Sequence, residues 1–144
     1  MNNNCQKHLG ESEDQLKSGG LKITSARLAL LDIFKHAKKP LSVKDLLKSF
    51  GGVDVDTVTL YRNVESLENL GLLKKIFINN KQSYYELTSA DHHHHLICKI
   101  CGKIEDIKGC KIQIKEKDLL KSSGFGKIVD HSLEFFGICN SCLA

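Results

Sequence analysis

Two Cys-x-x-Cys pairs, Cys98/Cys101 and Cys139/Cys142, frame the last third of this 144-residue chain, and the run His92 to His95 ends three residues before the first pair. Thiolates two residues apart can reach one ion, and a second pair from a distant strand or turn closes the tetrahedral Cys₄ shell that structural zinc prefers. Disulfides are the competing use of four cysteines. The opening Met1-Asn2-Asn3-Asn4 is polar with no apolar core behind it, so no secretory leader is expected. A reducing, cytoplasmic setting favours metal over disulfide. A thioredoxin-like centre needs one such pair beside a βαβ pattern, and iron–sulfur ligands usually crowd more closely.

The length allows one ordinary domain or two small ones, and a closed zinc site contributes on the order of 10 kcal/mol to a unit too small to hold itself together. No apolar run approaches the roughly 20 residues of a membrane span. The net charge of +4 permits nucleic-acid binding without requiring it. Residues 1–88 carry 13 Lys/Arg against 10 Asp/Glu by count, so geometry must carry the argument.

A polar N-terminal arm, residues 1–20, reads as flexible or weakly helical. Three helix signatures follow it. Thr24 caps the first, whose apolar positions are Leu28, Leu31 and Phe34, and which fades before Pro40. Ser42 and Asp45 form a variant capping box for the second, with Leu46, Leu47 and Phe50 facing inward. Asp56 or Thr57 opens the third, carrying Val58, Tyr61, Val64, Leu67 and Leu70, with Gly71 as its left-handed terminator. The β-prone runs 72–77 and 83–87 then make a hairpin in the position of a wing. Residues 1–88 are thus a winged helix-turn-helix domain. On its third helix, Thr57, Thr59, Tyr61, Arg62 and Asn63 suit a major groove, where Arg bonds guanine and Thr or Tyr meets thymine methyls. Tyr61 as core and Arg62 as a solvated charge is the plainer alternative.

Residues 89–144 have a different grammar. Strands are expected near 95–100, 102–107 and 127–138, with an amphipathic helix over 112–122, making an α+β chain whose second, metal-binding domain holds an antiparallel sheet. Three strands leave an apolar face that a second copy covers, so a homodimer is inferred. In a strand, His92 and His94 share one face and His93 and His95 the other, so the run serves two sites. An exposed polar tract is the alternative.

The chain resembles the ferric uptake regulator (Fur) family over nearly its whole length. The resemblance rests on Gly20 to Thr24 with Arg27, Thr57 to Arg62, Tyr85-Glu86-Leu87, His92 to Cys98, Cys101-Gly102-Lys103, and His131 to Glu134 leading into Gly137 to Cys139. It implies a dimeric winged-helix repressor that binds a palindromic double-stranded operator when a regulatory divalent metal is loaded. By that resemblance Cys98, Cys101, Cys139 and Cys142 hold structural Zn²⁺. Glu86, His93, His95 and Asp106 surround the regulatory ion, zinc slightly ahead of iron, with manganese also admitted. His92, His94 and His131 surround a further ion. Tyr61 and Arg62 correspond to base-contacting positions and Lys22 to one at the minor groove or backbone; Lys22, Arg27, Thr57, Thr59, Tyr61 and Arg62 form the DNA-binding set.

Pro40 stands where many relatives carry a metal-binding histidine. Near the register of a carboxylate ligand the chain offers Gln113 and then Glu116, and Cys110 is an additional thiol. An iron- or manganese-dependent peroxide-responsive repressor is an alternative within the family. From other classes come a zinc-stabilised protein-interaction adaptor and a zinc hydrolase or deaminase. The enzyme reading lacks both His-Glu-x-x-His and His-x-Glu with Pro-Cys-x-x-Cys, so no catalysis and no small-molecule substrate is expected.

Overall fold

The computed structural model describes residues 3–50, 55–78, 82–88, 93–109, 115–129 and 131–144. The chain divides into two compact units, Met1–Thr88 and Ser89–Ala144. Among the described residues, no helix is long and apolar enough to cross a membrane.

The first unit runs α1 (Asn3–Ser18), α2 (Ser25–His36), β1 (Leu41–Ser42), α3 (Val43–Ser49), α4 (Thr57–Asn69), β2 (Leu73–Ile78) and β3 (Gln82–Leu87). Its arm takes the helical alternative as α1, a full helix rather than a weak one. Leu16 is buried in the core, and Lys35 Nζ on α2 donates to Ser12 Oγ at 2.8 Å. Tertiary packing thus supplies what the polar sequence of α1 does not. Gly20, at φ 72°, ends α1 with Leu21 N–H on the Leu16 carbonyl and Gly20 N–H on that of Lys17. Gly71 ends α4 in the same way. This paired arrangement satisfies carbonyls that a helix end leaves open, and its left-handed residue costs least as glycine.

The caps form as expected. Thr24 accepts from Arg27 N–H, Ser42 and Asp45 complete their reciprocal box, and Asp56 accepts from Thr59 N–H. The core joins Leu16, Leu30, Leu31, Phe34, Leu46, Leu60, Val64 and Leu67 with Leu73 and Tyr85 of the sheet. Of the apolar positions read from helical spacing, Leu47, Val58, Tyr61 and Leu70 lie outside it. Leu47 is 37% exposed because Val43, Leu46 and Phe50 already fill the inward stripe of the short α3. Val58, 58% exposed, sits on the first turn of α4, off the stripe of Leu60, Val64 and Leu67. The sheet order is β1-β3-β2, with Leu73 opposite Leu87 and the two-residue β1 adding Leu41 opposite Tyr85. Pro40, fully buried, leads into β1, where its missing N–H costs no ladder bond. Of the expected wing turn, residues 79–81 lie outside the described residues and Gln82 belongs to β3.

The second unit contains β4 (His93–Cys98), β5 (Ile104–Lys108), α5 (Glu116–Lys121), β6 (Glu134–Gly137) and α6 (Asn140–Leu143). Its sheet order is β5-β4-β6. β5 pairs antiparallel with β4 as expected, whereas β6 adds on parallel, Leu96 beside Phe135 and Cys98 beside Gly137. The 25 residues between β5 and β6 give the long return a parallel neighbour requires. The strand expected over 127–138 is confined to Glu134–Gly137, because only His95–Cys98 of β4 offers it a ladder. The helix expected over 112–122 is α5, while residues 110–114 lie outside the described set. Leu96 and Phe135, paired on one face of the sheet, are 43% and 38% exposed, while Phe136, 44% exposed, points to the other face.

Candidate metal centres and nucleic-acid interface

The four cysteines meet because β4 and β6 run side by side in the same direction. Cys98 closes β4, and the chain turns back at once: Gly102 N–H bonds the Cys98 carbonyl and Cys98 N–H bonds that of Lys103, with Gly102 at φ 74°. Beyond β6, Cys139 caps α6, and Cys142 N–H bonds the Cys139 carbonyl. Each Cys-x-x-Cys is thus a tight turn that aims two sulfurs one way. All four Sγ atoms lie within 4.8 Å of one another, and Cys101 to Cys139 is 3.6 Å. A tetrahedral ion at Zn–S of about 2.3 Å sets sulfurs roughly 3.8 Å apart, whereas a disulfide needs about 2.05 Å. All four cysteines are free thiols, and their spacing fits the ion and not the bond.

The electrostatics are uneven. Backbone N–H bonds from Cys101, and next Cys139, hold Cys98 well below the ordinary thiol range, at about 6; the Cys139 N–H lies 3.3 Å from Cys98 Sγ. Hydrogen bonding with Cys139, and next with Cys101, pushes Cys142 up to about 12. Amide hydrogens aimed at Cys98 are ready to carry part of a thiolate's charge, which is what a four-thiolate shell demands of its surroundings. These N–H to sulfur bonds were not legible in the Cys-x-x-Cys spacing, since Cys139 comes from the other knuckle.

The histidines divide by strand parity. The His93 and His95 rings meet edge to face with centroids 5.1 Å apart, while the His94 ring lies 5.8 Å from that of His131, just before β6. The β4–β5 ladder sets Asp106 opposite His95, with Asp106 Oδ1 3.7 Å from His95 Nε2. His94 and His95 are buried, and His93 and Asp106 remain partly open. An imidazole pair with a carboxylate at this separation is a mixed N/O donor set suited to zinc, ferrous iron or manganese. Glu86 is half-buried on β3 of the first unit, opposite Lys74. His92, Cys110 and Gln113 lie outside the described residues, as does the side chain of Glu116 at the start of α5.

On α4 the buried face is Leu60, Asn63, Val64 and Leu67. Asn63, expected on the outer half, is therefore turned inward. Thr57, Thr59 and Arg62 are exposed, and Tyr61, at 52%, stands outside the core. Lys22 is exposed in the loop before α2. Arg27 is half-buried instead: its Nη1 donates to the Lys22 carbonyl at 2.7 Å, and its buried Nε has no partner among the described residues. The guanidinium thus braces the loop that carries Lys22. A further feature escaped the sequence reading: Asp56 accepts from both the N–H and the hydroxyl of Thr59. The Asp-x-x-Thr spacing was the available signal for it.

A sequence model described as the ferric uptake regulator family matches residues 18–136. The chain is 35% identical over 133 residues to the ferric uptake regulation protein of Neisseria gonorrhoeae, covering 90% of this chain and 92% of that protein. Among solved structures, the ferric uptake regulator of Francisella tularensis with iron matches at TM-score 0.75 and 30% identity, covering 87% of this chain and 96% of that one. The ferric uptake regulator of Pseudomonas aeruginosa with manganese matches at TM-score 0.73 and 25% identity, covering 90% of this chain and 98% of that one.

Proposed function

The chain belongs to the ferric uptake regulator family, and from that premise we propose that it is a dimeric repressor that seats on a palindromic operator when a divalent metal loads Glu86, His93, His95 and Asp106. As a member of that family it is a metal-dependent transcriptional regulator, not an enzyme. The observation that carries the proposal is the setting of His95, which has the His93 ring 5.1 Å away between centroids and Asp106 Oδ1 3.7 Å from its Nε2, nitrogen and oxygen donors gathered without a thiol. Cys98, Cys101, Cys139 and Cys142 hold a zinc ion that keeps the second unit folded.

The bound cation supplies a positive centre for imidazole nitrogens and carboxylate oxygens. Glu86 and His93 are seven positions apart, at most about 25 Å of extended chain, so ligands from both units can converge. When they do, fewer arrangements of the two units remain, and the population shifts towards those that keep all donors engaged. Two copies held so that their α4 helices lie one turn of DNA apart bind a palindrome together. Linkage of this kind is typically about 1–3 kcal/mol per site, and DNA must tighten metal binding by the same amount. The exposed apolar pair Leu96 and Phe135 on one sheet face supports pairing of two copies, since its burial offsets part of the cost of association. Thr57, Thr59, Tyr61 and Arg62 then face the major groove, with Lys22 at the backbone or minor groove and Arg27 behind it. His94 and His131, with His92, hold a further ion.

Ferrous iron is the regulatory ion of this reading: the donor set is free of sulfur, and the relatives named above are ferric uptake regulators. A zinc-responsive reading is favoured by Pro40, which takes the place of an imidazole. The test is selection of operator DNA by the full chain under anaerobic Fe²⁺, followed by titration of the selected duplex with Fe²⁺, Mn²⁺ and Zn²⁺ at fixed salt. Saturable, Fe²⁺-dependent binding of two protomers per palindrome is expected. Metal-independent affinity overturns the proposal.

A further inference from the structure

We propose that Val58 and Thr59 read thymine by its 5-methyl group, with Asp56 as the positioning residue that withholds the Thr59 hydroxyl proton from the base edges. This inference rests on the reading that α4 enters the major groove. Asp56 caps α4 with both oxygens engaged: Oδ1 accepts from Thr59 N–H at 3.0 Å and Oδ2 from the Thr59 hydroxyl at 2.5 Å. A hydroxyl has one proton, and a short bond to a carboxylate is the stronger kind available to it. Thr59 therefore has no donor left for guanine N7 or O6, adenine N7 or thymine O4. Its methyl remains.

The neighbouring positions are apolar as well. Val58 is exposed on the first turn of α4, and Tyr61 follows on the second. Val58 and Thr59, roughly 100° apart around the helix, each present a branched methyl on its exposed first turn, with the cationic Arg62 one turn on between their directions. In the major groove the matching apolar group is the thymine 5-methyl, which cytosine lacks. Arg62 supplies the hydrogen bonds of this helix, and Val58 with Thr59 supplies discrimination at neighbouring A·T pairs.

The experiment uses the full chain, loaded with metal, on the duplex it selects from a random library. Each thymine is replaced in turn by deoxyuridine, which removes only the methyl, and dissociation constants are read by anisotropy at fixed salt. At one or more thymines per half-site the wild-type protein is expected to lose about fourfold in affinity, the scale of one buried methyl. In Thr59→Ser, which keeps the cap and hydroxyl, and in Val58→Ala the penalty shrinks. In Thr59→Val, which keeps the methyl and drops the hydroxyl, it persists. Asp56→Asn, whose single amide oxygen can serve the backbone N–H but not also the hydroxyl, lowers the penalty while circular dichroism shows an unchanged melt; a penalty equal to wild type removes Asp56 from the assignment. Uniform indifference to deoxyuridine, or equal penalties in Thr59→Ser and wild type, overturns the methyl reading. Failure to select any duplex overturns the groove assignment beneath it.

Discussion

Removing the ion from the Cys98, Cys101, Cys139 and Cys142 shell should unfold the second unit and leave the first intact. Structural zinc shells of this kind bind with roughly 10–16 kcal/mol at neutral pH, while whole domains are stable by only about 5–15 kcal/mol. The second unit has little else to draw on. Among the described residues its buried apolar side chains are Ile97 and Cys98, against thirteen in the first unit. Full burial of one such aliphatic side chain stabilises by about 1.5–3 kcal/mol, far less than the ion. A tight zinc chelator, or Cys142→Ser, is therefore expected to split thermal unfolding into two transitions. In hydrogen exchange, β4 and β5 amides should lose protection while those of α2 and α4 keep theirs. Metal-stripped protein that melts in one unchanged transition, with β4 still protected, would show that packing and not the Cys₄ shell holds this unit.

Replacing His93 and His95 with Ala should leave the melt of the first unit unchanged and abolish metal-dependent operator affinity, read by anisotropy across a metal titration. Arg62→Ala should cost about 1–3 kcal/mol on the selected duplex and much less on random DNA; an unchanged ratio of the two removes it from base readout. Leu67→Ala, at a fully buried position, should cost about 2–5 kcal/mol in the first unit, seen in denaturant melts, with zinc content unaltered. Burial raises the Asp45 carboxyl, but hydrogen bonds from Ser42 outweigh it and hold the group below its ordinary 3.8. That contribution is fully present above the ordinary value and fades as pH falls through the lowered one. Asp45→Asn should flatten the acid limb of the stability profile, and an identical acid limb would count against the capping role.

How much was legible in advance depends on how local each determinant is. The caps at Thr24, Ser42 and Asp56 and the terminator at Gly71 lie within a few residues of the bonds they make, and all formed as read. Leu47 and Val58 fit a helical apolar spacing yet stay outside the core, because spacing gives a residue's direction and not whether a partner waits there. The same limit hid α1, whose order comes from Leu16 and Ser12 meeting α2.

By itself the sequence determined the chemistry: four thiols at knuckle spacing, imidazoles alternating along one strand, and a helix carrying a Tyr-Arg step. Those depend on residue type and on the short periods of helix and strand, which every chain obeys. Only the tertiary structure decided that β6 lies parallel to β4, which brings Cys139 and Cys142 to Cys98 and Cys101 and His131 to His94. It also settled that Arg27 braces the Lys22 loop and that Asp56 takes both hydrogens of Thr59. Pairings across the 35 residues between β4 and β6 (99–133), and the choice a hydroxyl makes among acceptors, follow from what the folded chain places within about 3 Å, which no local pattern encodes.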